Sequence, residues 1–266
     1  MARLLLTNDD GVHSPGIHAI AIALRDAGHD VVVAAPTDER SGWGAGVGYM
    51  IDELEFDVVS YEIPGASDIA AWGIEGPPAF CVLIAMLDAL GPRPELVVSG
   101  SNIGVNCGRG VLQSGTVGGA MIAQTFGVSA VALSQVYDGA PVLWETSGDV
   151  AVAAVDWLLE APRKTVINVN IPNRPVADLE GVRWARLAAF GATNTVVEPA
   201  GAGKMRLKIT PREVQLKPDT DTHLVDEGFV TVTGLVGFRH EDEVSAASAP
   251  AMEVSLKATN TVGVQQ

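Results

Sequence analysis

Two hydrophobic rhythms alternate along the first two thirds of this chain. Short apolar runs, polar at neither face, read as strands: Arg3–Thr7, Asp30–Ala35 ("DVVVAA"), Glu95–Ser99 ("ELVVS"), Ser129–Ser134 and Thr165–Ile171 ("TVINVNI"). Between them, Pro15–Ala27, Pro78–Leu90, Thr116–Phe126 and Asp149–Leu159 carry a helical period. In the first helix Ile17, Ile20, Ala21 and Leu24 share one face, and Gly28 ends it. Strands that are apolar on both faces and alternate with helices predict a parallel sheet covered on both sides. Right-handed crossovers make that a doubly wound α/β fold. After Pro172 the rhythm changes. Val182–Arg186, Met205–Thr210 and Phe229–Thr233 read as an antiparallel extension, separated by Gly- and Pro-rich turns such as "PAGAGK". The Ala-, Ser- and Thr-rich tail from His240 to Gln266 is weakly patterned and reads either as an arm on another subunit or as partly disordered.

Composition narrows the classes. The chain has 266 residues, 47% of them apolar, and a mean hydropathy of +0.25, which fits a well-filled core rather than disorder. Its longest apolar runs have strand length, so no membrane span is expected. The first residues run from Leu4–Leu6 straight into Asn8-Asp9-Asp10, with no secretory pattern, and a cytoplasmic location is expected. The two cysteines, Cys81 and Cys107, fall in no metal or redox spacing and read as free thiols. A net charge of −15 argues against a nucleic-acid-binding surface, which needs cations to replace phosphate counterions. An anionic small substrate would meet a repulsive surface that a metal ion reverses locally.

In an open parallel sheet, ligands bind beyond the carboxyl ends of the strands. The segments that follow the strands are Asn8–Gly11, Asp38–Gly42 and Gly100–Ala120 ("GSNIGVNCGRGVLQSGTVGGA"). Asp9 and Asp10 converge only if the chain leaves its strand there, because successive strand side chains point to opposite faces. Gly11 permits the turn. Two converging carboxylates need a counter-charge or a proton, and no Lys or Arg adjoins them. A divalent cation with oxygen ligands, Mg²⁺ or Mn²⁺, meets that need, with Ser41 and Asn102 as neutral donors. The alternative is a helix cap facing water. Likewise "SGTVGG", Ser114–Gly119, reads either as a phosphate cradle at a helix N-terminus or as an ordinary cap. Neither "PAGAGKM" nor "GWGAGVG" fits a P-loop or dinucleotide spacing. His13 and His18 are expected in surface or packing roles; Trp72, Trp144, Trp157 and Trp184 as core anchors; Asp219 and Asp221 as solvated loop carboxylates.

The segments "LLLTNDDGVHSPGI", "AAPTDERSG", "VVSGSNIGVNCGRGVLQSGTVGGAMIA" and "NVNIPN", with the later "TDTHLVDEGFVTVTGL", resemble the SurE survival-protein nucleotidases, in the same order and at similar spacing. The resemblance covers about Arg3 to Leu235. It implies a Rossmann-like core, an extended hairpin and an exchanged C-terminal segment, assembled as homodimers or homotetramers. It also implies a metal-dependent phosphomonoesterase acting on nucleoside monophosphates, with one Mg²⁺ or Mn²⁺ per subunit. The implied metal ligands are Asp9, Asp10, Ser41 and Asn102, with the two aspartates also catalytic. The implied phosphate-side residues are Asn106, Ser114, Gly115 and Thr116. The expected division is a catalytic core over 1–180 and an extension with an oligomerisation segment over 181–266.

The chain departs from the family pattern in places. Thr37, Asp38 and Glu39 stand where an Asp-Arg-Asn type loop is usual, "GPPAF" precedes Cys81 in place of a Thr-Pro-Ala-Asp type turn, "GRGVLQSG" lacks the usual acidic and tyrosine positions, and "GWGAGVGYM" follows Ser41. Two other readings stay open. One is a metal- or nucleotide-binding relative without turnover. The other is a phosphoacceptor signalling domain, for which the acceptor Asp and late Lys are lacking. The glycine-rich Gly42–Gly48 segment is the expected contact for the nucleoside.

Overall fold

The structure, a computed structural model, describes residues 1–48, 53–189, 193–211, 216–237 and 252–253. Residues Met1–Leu235 form one compact unit, and Val236–Gln266 group separately. In chain order the elements are β1 (Arg3–Thr7), α1 (Pro15–Asp26), β2 (Asp30–Pro36), β3 (Val58–Tyr61), β4 (Ala70–Ile74), α2 (Pro78–Met86), β5 (Leu96–Ile103), α3 (Gly115–Thr125), β6 (Ser129–Gln135), α4 (Trp144–Glu160), β7 (Val166–Ile171), β8 (Val182–Trp184), β9 (Thr193–Pro199), β10 (Met205–Pro211), α5 (Asp221–Asp226) and β11 (Val230–Leu235). The main sheet runs β3-β4-β2-β1-β5-β6-β7-β11-β8, and β9 and β10 form a separate two-stranded antiparallel sheet. From β4 to β7 every neighbouring pair is parallel.

The strand pleat explains the uninterrupted apolar runs. Leu4 and Leu6 of β1 enter one core with Ile17, Ile20 and Leu24 of α1 and Val155 and Leu158 of α4. Leu5, between them, enters the opposite core with Phe80 and Val82 of α2 and Val117 and Ala120 of α3. Alternate residues thus serve opposite faces, and both faces are covered. The chain builds outward from β1 through β2 to β4, then returns to lay β5 on the other side of β1. That reversal is a topological switch point, and it opens a crevice at the carboxyl ends of β1 and β5.

The mostly parallel α/β fold with an antiparallel ribbon matches the expectation, but several elements differ. β8 is parallel to β11, not antiparallel, while β11 is antiparallel to β7. α2 stops at Met86, and α4 begins a turn earlier, at Trp144. Strands β3, β4 and β9 and helix α5 are additional to those expected. Trp72 packs partly buried on the second core. Trp157 and Trp184 are exposed and are not core anchors: Trp157 borders an open apolar groove between α4 and the sheet, and Trp184 lies on the exposed edge strand β8. His18 bonds the Val12 carbonyl at 2.8 Å and stacks on Tyr61, the packing role expected of it. Cys81 and Cys107 are buried free thiols. The expected tail lies outside the described residues, Met252 and Glu253 excepted.

Candidate active site

Asn8 closes the turn after β1. Its Nδ2 donates to the Gly11 carbonyl at 3.0 Å, and its Oδ1 accepts from the Gly11 amide at 3.1 Å. Fully buried, it makes the turn rigid and leaves Asp9 and Asp10 outside the strand register. The Asp9 side chain is 3% exposed. Its Oδ1 accepts from the Thr116 hydroxyl at 2.6 Å and its Oδ2 from the Thr116 amide at 3.1 Å. Asp10 is half-buried and accepts from the Ile103 amide at the end of β5. Its buried Oδ2 has no hydrogen-bond partner.

The second and third segments dock on this turn by close backbone approach. The Arg40 amide donates to the Asp9 carbonyl at 2.7 Å, and the Gly44 amide to the Gln113 carbonyl at 3.1 Å. Ser41 therefore sits, exposed, in a short arc pinned at both ends. Ser114 caps α3, its Oγ accepting from the Val117 amide at 3.1 Å. The glycines of α3 are contact points. A Cβ on Gly115 would stand 2.8 Å from Asp9 Cβ, and one on Gly118 would stand 2.0 Å from the Gly44 carbonyl oxygen. Only residues without side chains bring this helix end, the aspartates and the Ser41 arc together.

Across the switch point, Asn102 lies half-buried near the end of β5, its Nδ2 donating to the Gly104 carbonyl at 2.7 Å. Asn106 donates through Nδ2 to Ser134 Oγ at 2.8 Å. Its backbone is held on both sides: the amide donates to Asn170 Oδ1 at 2.8 Å, and the carbonyl accepts from Asn168 at 2.8 Å and Asn170 at 3.2 Å. Asp221, expected to be solvated, is instead fully buried. It accepts from the amides of Gly108 at 2.7 Å, Ala188 at 2.9 Å and its neighbour Thr222 at 2.8 Å, because these inward-facing N–H groups need an acceptor once water is excluded. Asp219 is exposed and pairs with Arg186 at 3.3 Å. Asn8, Asn168, Asn170 and Asp221 thus fix the site's backbone, and sequence reasoning gave none of them that place. The "NVNIPN" segment was legible only as a motif.

One expectation changes form. Thr116 stands beside the site, but both its donors are spent on Asp9, so it holds a carboxylate rather than offering an amide to phosphate. Gly115 lies against Asp9, and Asn106 is held to Ser134.

Burial raises the pKa of Asp9, against the opposing hydrogen bonds from Thr116. Burial and then the charge of Asp9 push Asp10 up to about 7. Exposed Glu39 adds to both rises. Among the described residues no group of three or more His, Cys, Asp or Glu gathers to hold a metal. The donor set here is two carboxylates with hydroxyl and amide oxygens nearby, which suits a hard cation of the Mg²⁺ or Mn²⁺ type. The partnerless Asp10 Oδ2 and the raised proton affinity of both groups describe a site that lacks positive charge. The residues fit a divalent cation.

Comparison with known proteins identifies the family. The sequence profile described as "Survival protein SurE" matches residues 4–193. The chain is 35% identical to the protein named 5′/3′-nucleotidase SurE from Cronobacter sakazakii, over 88% of this chain and 89% of that one. It is 36% identical to the protein of the same name from Salmonella typhimurium, over the same shares. The crystal structure of the SurE protein from Aquifex aeolicus superposes with a TM-score of 0.76 at 30% identity, covering 94% of this chain and 99% of that one. With its switch-point crevice, its paired aspartates and this likeness over nearly its whole length, the chain belongs to the SurE family.

Proposed function

We propose that this protein is a metal-dependent phosphomonoesterase that hydrolyses nucleoside 5′- and 3′-monophosphates to nucleoside and phosphate. The observation that carries the reading is the paired carboxylate turn at the switch point, where Asp9 packs against the glycine-opened N-terminus of α3 and the neighbouring Asp10 keeps a buried oxygen without a partner. The names of the relatives support the nucleotide class.

Asp9, Asp10, Ser41 and Asn102 would hold the cation. When bound, a divalent cation supplies a Lewis acid for a phosphoryl oxygen and lowers the pKa of a water. Thr116 keeps Asp9 in one orientation, so that carboxylate need not reorganise during the reaction. Both Asp9 oxygens already accept from Thr116, which leaves Asp10 the freer group to orient or accept a proton from the attacking water. The Gly115 amide, at the positive end of α3, and the Asn106 side chain face the charge that builds on the phosphoryl oxygens. Ser114 keeps the first turn of α3 in place.

The working unit we propose is a homodimer or homotetramer. In the β9–β10 ribbon Val197, Met205, Leu207 and Ile209 are all more than half exposed. A two-stranded ribbon with apolar flanks is marginal alone and is stabilised by a surface that covers it. Among the described residues no helix is long and apolar enough to cross a membrane. The free thiols accord with a reducing compartment, which we take to be the cytoplasm.

The test is a panel of 5′- and 3′-nucleoside monophosphates beside sugar phosphates and polyphosphate, compared by kcat/KM with added Mg²⁺ or Mn²⁺. The reading expects nucleotides to lead, with purines and pyrimidines both accepted. A non-nucleotide ester in front would leave a metal phosphatase and remove the nucleotidase. No turnover of any ester despite metal binding would make this a binding protein.

A further inference from the structure

Beside the aspartate turn, at the carboxyl ends of β2 and β4, lies an open cavity of about 240 Å³. Its walls include Arg40, Trp43, Val47, Phe56 and Phe80, with Glu55 and Glu75 also lining it. We infer that this cavity is the nucleobase subsite of the enzyme proposed above, with Trp43 as the stacking platform. The inference rests on that reading and adds which residues meet the base.

Three observations carry it. The first is continuity. Arg40, Ser41 and Trp43 belong to the arc whose ends are pinned to the Asp9 carbonyl and to Gln113. A ligand whose phosphate lies at Asp9 and Asp10 therefore has this cavity as its next compartment along the sheet edge. The second is the chemistry of the walls. Phe56 and Phe80 pack edge to face at 4.9 Å and form one side. Trp43, 48% exposed, presents its ring with the Arg40 guanidinium 5.8 Å from its centroid. An aromatic face backed by a cation holds a flat heterocycle by stacking, and does so for every base, because each has a π-face. The Arg40 Nε is buried without a hydrogen-bond partner, so the guanidinium is not held by an ion pair through that atom. The third is charge. Glu55 and Glu75 in the lining disfavour a second phosphate or a polyphosphate tail, and a neutral base suits the compartment. Trp43 and Phe80 stand in the two segments, "GWGAGVGYM" and "GPPAF", where this chain leaves the family pattern.

The experiment compares adenosine 5′-monophosphate with ribose 5-phosphate, which shares the phosphate and sugar but has no base. It uses the wild type, Trp43→Ala and Trp43→Phe with added Mg²⁺ or Mn²⁺. Trp43 is half exposed and its arc is fixed through backbone bonds, so both variants should fold. The expected result is a loss of about tenfold or more in kcat/KM for the nucleotide in Trp43→Ala, with ribose 5-phosphate within twofold of wild type and Trp43→Phe near wild type on both. A third arm uses adenosine itself, without phosphate, as a competitive inhibitor of ribose 5-phosphate hydrolysis. It should inhibit the wild type and release Trp43→Ala. If the wild type prefers the nucleotide and Trp43→Ala keeps that preference, the subsite is wrong while the nucleotidase reading stands. An equal loss on both substrates also overturns it, because Trp43 then only shapes the loop. If the wild type cleaves ribose 5-phosphate and not the nucleotide, the nucleotidase reading fails. The adenosine arm then decides the subsite alone: inhibition relieved by Trp43→Ala keeps a base-binding cavity, and no inhibition removes it.

Discussion

Thr116 spends its hydroxyl and its amide on one carboxylate, and that makes it the residue on which Asp9 depends. Partners that orient a metal-binding carboxylate typically matter about 10- to 100-fold in affinity or activity. Thr116→Val keeps the amide bond and the shape but loses the 2.6 Å hydroxyl bond. It should lower kcat/KM by about tenfold or more, and Thr116→Ser should restore most of it; equal activity in all three proteins would contradict the role. Asp10 makes a pH prediction. Its usual value of 3.8 rises to about 7 in the fold through burial and the charge of Asp9. Between those values the folded state binds more protons than the unfolded one. The metal-free protein therefore loses stability as pH rises through that window, by at most about 1.4 kcal/mol per pH unit for one group. Melting temperatures taken in EDTA from pH 5 to 7.5 should fall in the wild type and fall less steeply in Asp10→Asn. Parallel slopes would rule out Asp10 as the burdened group. The convergence of Asp9 and Asp10 could be read from a strand meeting a glycine turn. The Thr116 grip could not, since the partners are 107 residues apart. Nor could the burial of Asp221, which depends on amides from Gly108 and Ala188 that only the folded chain brings together.

Helix α3 is built to be approached. Its glycines weaken it as a helix, and its gain is contact: Gly115 against Asp9 and Gly118 against Gly44. In Gly118→Ala the new Cβ would lie 2.0 Å from a backbone oxygen, so the Ser41 arc must move. We expect destabilisation of about 1–3 kcal/mol, read as a lower melting temperature, together with weaker metal-induced stabilisation. Full activity at unchanged melting temperature would show that the arc's position does not matter. The elements that sequence located well are the buried parallel strands, because burial on both faces leaves a continuous apolar run. Those it missed lack that signature. β3 is a short, largely exposed edge strand, β4 ("AAWGI") is interrupted by glycine, and α5 is too short at six residues to show a helical period. The parallel pairing of β8 with β11 was illegible because register belongs to a distant partner, not to the local pattern.

At the scale of the whole molecule, a net charge of −15 faces an anionic substrate. Local positive charge at the site then decides whether substrate is held at all. The exposed apolar ribbon adds an expectation about assembly: light scattering at micromolar concentration should give a multiple of 27.7 kDa, and a stable 27.7 kDa particle would leave the ribbon uncovered and contradict the oligomer. The central claim is that the aspartate turn works as a metal-dependent phosphoester site. The most direct test is to strip the protein with EDTA and titrate Mg²⁺ or Mn²⁺ back. Adenosine 5′-monophosphate hydrolysis is followed in the wild type, Asp9→Asn and Asp10→Asn, with folding checked by circular dichroism. The account predicts no turnover in EDTA, saturable recovery in the wild type and none in either folded variant. Turnover that persists in EDTA, or near-wild-type recovery in either variant, would contradict it.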